Sequence, residues 1–285
     1  MSAHLDGAYA GRKLAARAAT VASCVAVAIA IVPLLAILIS VAQRGLGALS
    51  VSFFTELPRP VGEHGGGMAN AIVGTLELVG LASVMGIPVG IAAGLFLAEY
   101  RATLLARVVR FSADVLAGVP SIIVGVVVYA TIVVRMHHFS TFAGAGALAI
   151  LMLPLVARTT DELARTVPES LREAALALGA SRWRIAIHVV LQTAAPGIRA
   201  GCMLAVARVC GETAPLLFTA FNNRFWNESL SDPTSSLQVQ IFTYTMSPDE
   251  DWHAQAWAAA LVLVALVVVL NLAARRVLRG RRPAS

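Results

Sequence analysis

Charge is what this sequence lacks most. Only 13% of its 285 residues are Asp, Glu, Lys or Arg, about half the share of a soluble domain. With 58% hydrophobic residues and a mean hydropathy of +0.77, there is too little polar surface to clothe a water-facing globule. Intrinsic disorder is excluded by the same composition. Lysine is almost missing: Lys13 is the only one among 22 basic residues. A phosphate-cradling G-x-x-x-x-G-K-[ST] loop needs a lysine to reach the β/γ-phosphates. Lys13 lies between Arg12 and Leu14, so the chain carries no such loop. Cysteine is scarce and odd in number. Cys24, Cys202 and Cys210 all sit in apolar stretches, which implies neither a disulfide framework nor a metal spacing. His137 and His138 have no carboxylate or cysteine beside them, so no metal site is expected. Ser121 and Ser181 lack a His/Asp setting, so nucleophilic catalysis has no basis. A net charge of +6 would suit nucleic acid. Here the arginines punctuate apolar runs, where they set membrane orientation, and no nucleic-acid partner is expected.

What is present is a series of apolar runs. A spanning helix needs about 20 mostly apolar residues. Residues 18–43 hold no charge, and 71–98, 115–134, 141–157, 195–221 and 254–274 complete six expected spans. The first is too long for a signal-peptide core and lacks a cleavage site, so it is read as an uncleaved helix. With the N-terminus in the cytoplasm, sixteen Lys/Arg fall on inside segments. Four (Arg44, Arg59, Arg135, Arg224) fall outside. That bias predicts cytoplasmic termini. The chain divides into residues 1–69 (tail, first span, outside loop), a core of 70–274, and a basic tail of 275–285 suited to anionic lipid. Gly86, Gly90 and Gly94 recur every four residues, as in close helix packing. Trp226, Trp252 and Trp257 are expected at the outer interface.

Residues 158–194 form a long inside segment. Pro168, Glu169 and Glu173 suit the first turns of a helix. Leu171, Ala174, Ala175 and Leu178 share one of its faces. Gly179 breaks the run, and a second short helix is expected from Trp183 to Val190. The apolar face suits a groove on a soluble partner or the lipid surface.

The fifth span contains Arg208 and Glu212, four residues apart and so on one helix face. A charge at the bilayer centre costs about 2.5–3.5 kcal/mol on insertion scales, so it faces protein or water and has a partner. The pair is read either as a self-neutralising structural contact or as an anion path. A guanidinium fork fits a tetrahedral oxyanion bidentately. Glu77, near the start of the second span, suits either a polar path or an interface.

Several strings carry a resemblance. Glu173-Ala174-Ala175, Gly179, Val189 and Leu191 keep the spacing of the EAA loop of binding-protein-dependent ABC permeases, with Val189 for isoleucine and Gln192 for proline. Gly211-Glu212-Thr213-Ala214-Pro215-Leu216-Leu217 resembles the signature of PstA-type permease subunits of phosphate ABC importers. Asn70–Leu76, Leu97–Tyr100, Ala117–Ile122 and Leu237–Ile241 also resemble that branch. The resemblance implies an all-α, six-span integral membrane protein of the type I ABC importer permease fold with a cytoplasmic coupling helix. It also implies phosphate passage at Arg208, Glu212, Thr213 and Glu77, and docking of an ATPase on Glu173, Ala174, Ala175, Gly179 and Ala180. The implied partners are two ATPase subunits, which hold the ATP and Mg, a second related permease, and an extracytoplasmic phosphate-binding protein. The chain itself would need no cofactor and would be no enzyme, and it would lie in the bacterial cytoplasmic membrane. Intramembrane arginine also suits sulfate or molybdate, and a stand-alone anion channel or secondary carrier would need no ATPase.

Overall fold

In hydrocarbon a backbone must satisfy its own polar groups, and a helix does so within one segment. The computed structural model describes residues 2–279, with side chains for Lys13, Leu14 and 16–272. Of the expected basic tail, 280–285 lie outside the described residues, as do the side chains of Arg12, Arg275, Arg276 and Arg279. No strand occurs among the described residues.

Helix α1 (Ser2–Ala48) is followed by α2 (Val51–Thr55) and α3 (Ala69–Glu99). Next come α4 (Leu104–Gly118), α5 (Ser121–Met136, with a π-helical turn at Tyr129–Val133) and α6 (Thr141–Arg165). The remaining elements are α7 (Glu169–Ala177), α8 (Arg182–Val209, with a π-helical turn at Ile185–Val190), α9 (Ala214–Thr219), α10 (Leu237–Thr245) and α11 (Glu250–Arg279). Among the described residues, five unbroken helices are long and apolar enough to cross a membrane, namely α1, α3, α6, α8 and α11.

The third expected span is bent, although its two halves together are long and apolar enough to make a sixth crossing. Residues 115–134 are not one helix: α4 and α5 meet at a 106° bend. Pro120 disfavours the helical conformation in the residue before it, and Val119 is extended (φ −72°, ψ 129°). The expected span 195–221 is also interrupted. Helix α8 starts thirteen residues earlier, at Arg182, and stops at Val209. The second short helix expected at 183–190 is the first part of α8, not a separate element. The span 141–157 continues to Arg165 as the helix leaves its apolar stretch.

The centre of the fold is the pair α3 and α6. Gly86, Gly90 and Gly94 are all buried on α3, and a Cβ on Gly90 would stand 2.8 Å from Val156 Cβ. Gly90→Leu should therefore overpack this seam at a cost of about 1–3 kcal/mol. The check is a lowered unfolding temperature of the detergent-purified chain; an unchanged one refutes the close approach.

Helix α1 is largely uncovered and joins the rest near its C-terminal end. A Cβ on Gly45 would lie 2.8 Å from Trp257 O, and the Arg44 guanidinium sits 4.9 Å from the Trp257 ring centre. The following loop is held to α11 by Gln255 Nε2, which donates to Gly65 O (2.9 Å), and by a His64–Asp251 pair. That pair raises the His64 pKa above 6.5, chiefly through the hydrogen bond that its ring N–H donates to the Asp251 carboxylate. Trp252 is buried and stacked on Tyr244 at 4.0 Å, so it is a core residue and not the interface residue expected. That ring pair belongs to a buried apolar cluster that includes Phe53, Met68 and Leu237.

Candidate functional site

The interruption after α8 builds the site. Four prolines (Pro33, Pro88, Pro154, Pro196) lie inside helices here, so Pro215 alone does not explain a break. In a continuous helix the Cys210 carbonyl would accept from the Ala214 N–H. Instead Gln238 of α10, itself buried, donates its side-chain amide to Cys210 O. Pro215 suits the first turn of the new helix α9.

Arg208 stands on the last turn of α8 and Glu212 in the break. The two are not on one helix face as expected, yet the break brings them together: Arg208 Nε lies 3.7 Å from Glu212 Oε1. That is too long for a hydrogen bond. Arg208 makes no other hydrogen bond or ion pair among the described residues. Its side chain is 49% exposed and that of Glu212 18%. The guanidinium fork is thus loosely neutralised and otherwise open. Thr213, half-buried, opens α9, with its carbonyl accepting from Leu216 N (3.1 Å) and Leu217 N (3.3 Å).

Glu77 lies elsewhere. Its Oε2 accepts from Asn227 Nδ2 at 3.5 Å, and the same amide donates to Thr141 Oγ1 at 2.9 Å. Glu77 therefore belongs to the packing of the 222–236 loop over α3 and α6, and no hydrogen bond or ion pair joins it to Arg208 or Glu212. Behind the break runs a buried polar chain absent from the expected site. The Thr75 hydroxyl donates to Ala71 O (2.7 Å) and accepts from Leu237 N (2.9 Å), and its oxygen lies 3.5 Å from Gln238 Oε1. The signal was present as polar residues inside the strings 70–76 and 237–241; what the sequence does not contain is that these strings pack on each other.

At the other end of α8 lies the docking element. Helix α7 ends in a glycine elbow: Gly179 has φ +79°. Gly179 N donates to Leu176 O (2.9 Å) and Ala180 N to Ala175 O (3.1 Å), the paired bonds of a Schellman C-cap. Ala175 and Ala180 turn inward against a cluster that includes Leu95, Ala164 and Ile185. Glu173, Ala174 and Gly179 are exposed. Beside them stand Leu176, Leu178 (89% exposed) and Trp183. Of the five expected docking residues, three are therefore on the outer face and two hold the elbow to the body.

Comparison with known proteins bears on both elements. A family profile described as "Binding-protein-dependent transport system inner membrane component" matches residues 86–283. A Yersinia pestis protein named "Phosphate transport system permease protein PstA" is 47% identical over 240 residues, 84% of this chain and 81% of its own length. A Xylella fastidiosa (strain Temecula1) protein of the same name is 42% identical over 280 residues, covering 98% and 97%. Among solved structures, the inward-facing MetNI methionine ABC transporter superposes with a TM-score of 0.64 at 20% identity, over 76% of this chain and 96% of that one. At that identity the likeness concerns the fold alone.

Proposed function

This chain belongs to the family of binding-protein-dependent transport system inner membrane components, an ABC importer permease family, and we propose that it is the permease subunit through which an ATP-driven importer passes inorganic phosphate. The observation that carries the reading is the open fork of Arg208 at a helix break within an apolar span, in a chain 42–47% identical to relatives named as phosphate transport permeases. Dehydrating a guanidinium is costly, and a tetrahedral oxyanion seated bidentately offsets that cost. Glu212 balances the charge while the path is empty. At 3.7 Å it yields easily when an anion arrives.

In this reading a phosphate-binding protein delivers its cargo to the outer loops. A second, related permease closes the other half of the path. Two ATPase subunits, which hold the ATP and Mg, push on α7, and the cavity turns from outward- to inward-facing. The chain performs no bond chemistry and holds no cofactor. It lies in the bacterial cytoplasmic membrane with both termini inside, as the excess of arginine on those segments demands.

Radiolabelled uptake into sealed vesicles tests the proposal. Phosphate should enter only with ATP and the ATPase present, and excess unlabelled sulfate or molybdate should leave the rate unchanged. Equal competition by either anion assigns the path to another oxyanion. Uptake without the ATPase makes the chain a channel or secondary carrier.

A further inference from the structure

Among the described residues only two charged side chains are buried, Asp161 and Arg172, each 6% exposed. Neither takes part in the Arg208 site. Both lie where α3, α4, α6 and α7 converge. Asp161 accepts from its own helix neighbour Arg165 (2.8 and 2.7 Å) and from Arg110 of α4 (3.2 Å), whose Nη2 also donates to Leu97 O of α3 (3.3 Å). Arg172 belongs to α7. Its Nη1 donates to Glu99 at the last turn of α3, and its Nη2 to Ala164 O at the end of α6 (2.8 Å). These are the only side-chain hydrogen bonds from α7 to another element among the described residues.

A buried ion pair is a weak source of stability, because dehydrating both charges offsets most of their attraction; apolar residues of similar size hold as well or better. What the Glu99–Arg172 pair supplies is a single defined geometry with two anchors on two helices. Those helices, α3 and α6, form the close-packed seam through Gly90 and Gly94. A body packed that densely shifts as a unit, since interiors resist continuous deformation.

We propose that Glu99 and Arg172 form the joint that carries displacement of α7 into α3 and α6, so that the three helices move together. The proposal rests on α7 being the surface that an ATPase pushes. Glu99 and Arg172 are positioning residues: they touch no substrate. Asp161 plays the lesser part of locking α4 to the same junction, and its triad is not needed for the argument.

The test uses the whole transporter in sealed vesicles and reads phosphate taken up per ATP hydrolysed. Glu99→Gln keeps the side-chain volume and leaves the Arg172–Ala164 bond. It should lower the ratio roughly tenfold, within the usual range of coupling between sites, while the ATPase still co-purifies. Arg172→Glu should do the same, and the exchange Glu99→Arg/Arg172→Glu should recover most of the loss. A purely structural role moves the amount of folded protein but not this ratio. Should Arg172→Glu fail to reach the membrane, Glu99→Gln decides by itself. A parental ratio in Glu99→Gln, or an exchange variant no better than the worse single, overturns the joint. An ATPase missing from the pull-down of the parental chain overturns the docking surface, and the joint with it; a bound ATPase with an unchanged ratio overturns the joint alone.

Discussion

Arg208→Gln should lower phosphate uptake about a hundredfold while the subunit still assembles. A charge-assisted hydrogen bond is worth roughly 1.5–3 kcal/mol, and the bidentate fork makes two of them. Glutamine can offer only one neutral donor group in that place. Assembly should survive because Arg208 makes no hydrogen bond among the described residues, and its one ionic contact, at 3.7 Å to Glu212, is loose. Removing the cation also leaves Glu212 without its counter-charge, and a lone carboxylate near the path would repel phosphate. The double variant Arg208→Gln/Glu212→Gln separates the two effects. It is neutral, so recovery of uptake would make charge balance the whole role of Arg208, and continued loss assigns it to the anion. Arg208→Lys keeps the charge without the planar fork and should fall between. Uptake at the parental rate in Arg208→Gln rejects the site.

The second large effect concerns the elbow after α7. Gly179→Pro should release the ATPase or uncouple it. Proline is confined to φ near −65°, whereas Gly179 sits at +79°. Proline also lacks the N–H that Gly179 donates to Leu176 O. The elbow must therefore open, which withdraws Ala175 and Ala180 from the apolar cluster beneath and tilts the outer face. Glu173→Arg approaches the same surface differently. Glu173 is exposed and makes no hydrogen bond or ion pair among the described residues, so its reversal leaves the fold intact and changes only what a partner meets. A pull-down that recovers the ATPase undiminished from both variants, with uptake unaltered, counts against docking at α7.

The strings that carried the resemblance turn out to be joints of the fold. Leu97–Tyr100 holds Glu99, the partner of Arg172. Ala117–Ile122 is the 106° corner between α4 and α5. Asn70–Leu76 and Leu237–Ile241 meet through Thr75 and Leu237. Gly211–Leu217 leads from the break into α9. Residues of these kinds stand out in sequence because each is a poor choice for a plain apolar helix: a charge, a proline, a polar amide. Their reasons are visible only as pairs, and the pairs are up to 163 residues apart.

Hydropathy and arginine placement were enough to determine that the chain is helical, lies in a membrane and crosses it several times, because the bilayer imposes one length and one backbone solution on every span. Spacing alone also marked Gly179 as an elbow and Arg208 with Glu212 as a charged pair. Where helices stop was decided by the tertiary structure. Pro33, Pro88, Pro154 and Pro196 stay within helices, while Pro120 and Pro215 border breaks, and nothing in the local sequence separates the two groups. At Cys210 the separation is physical: a carbonyl released from its helix must find another donor, and Gln238, from a distant helix, supplies it.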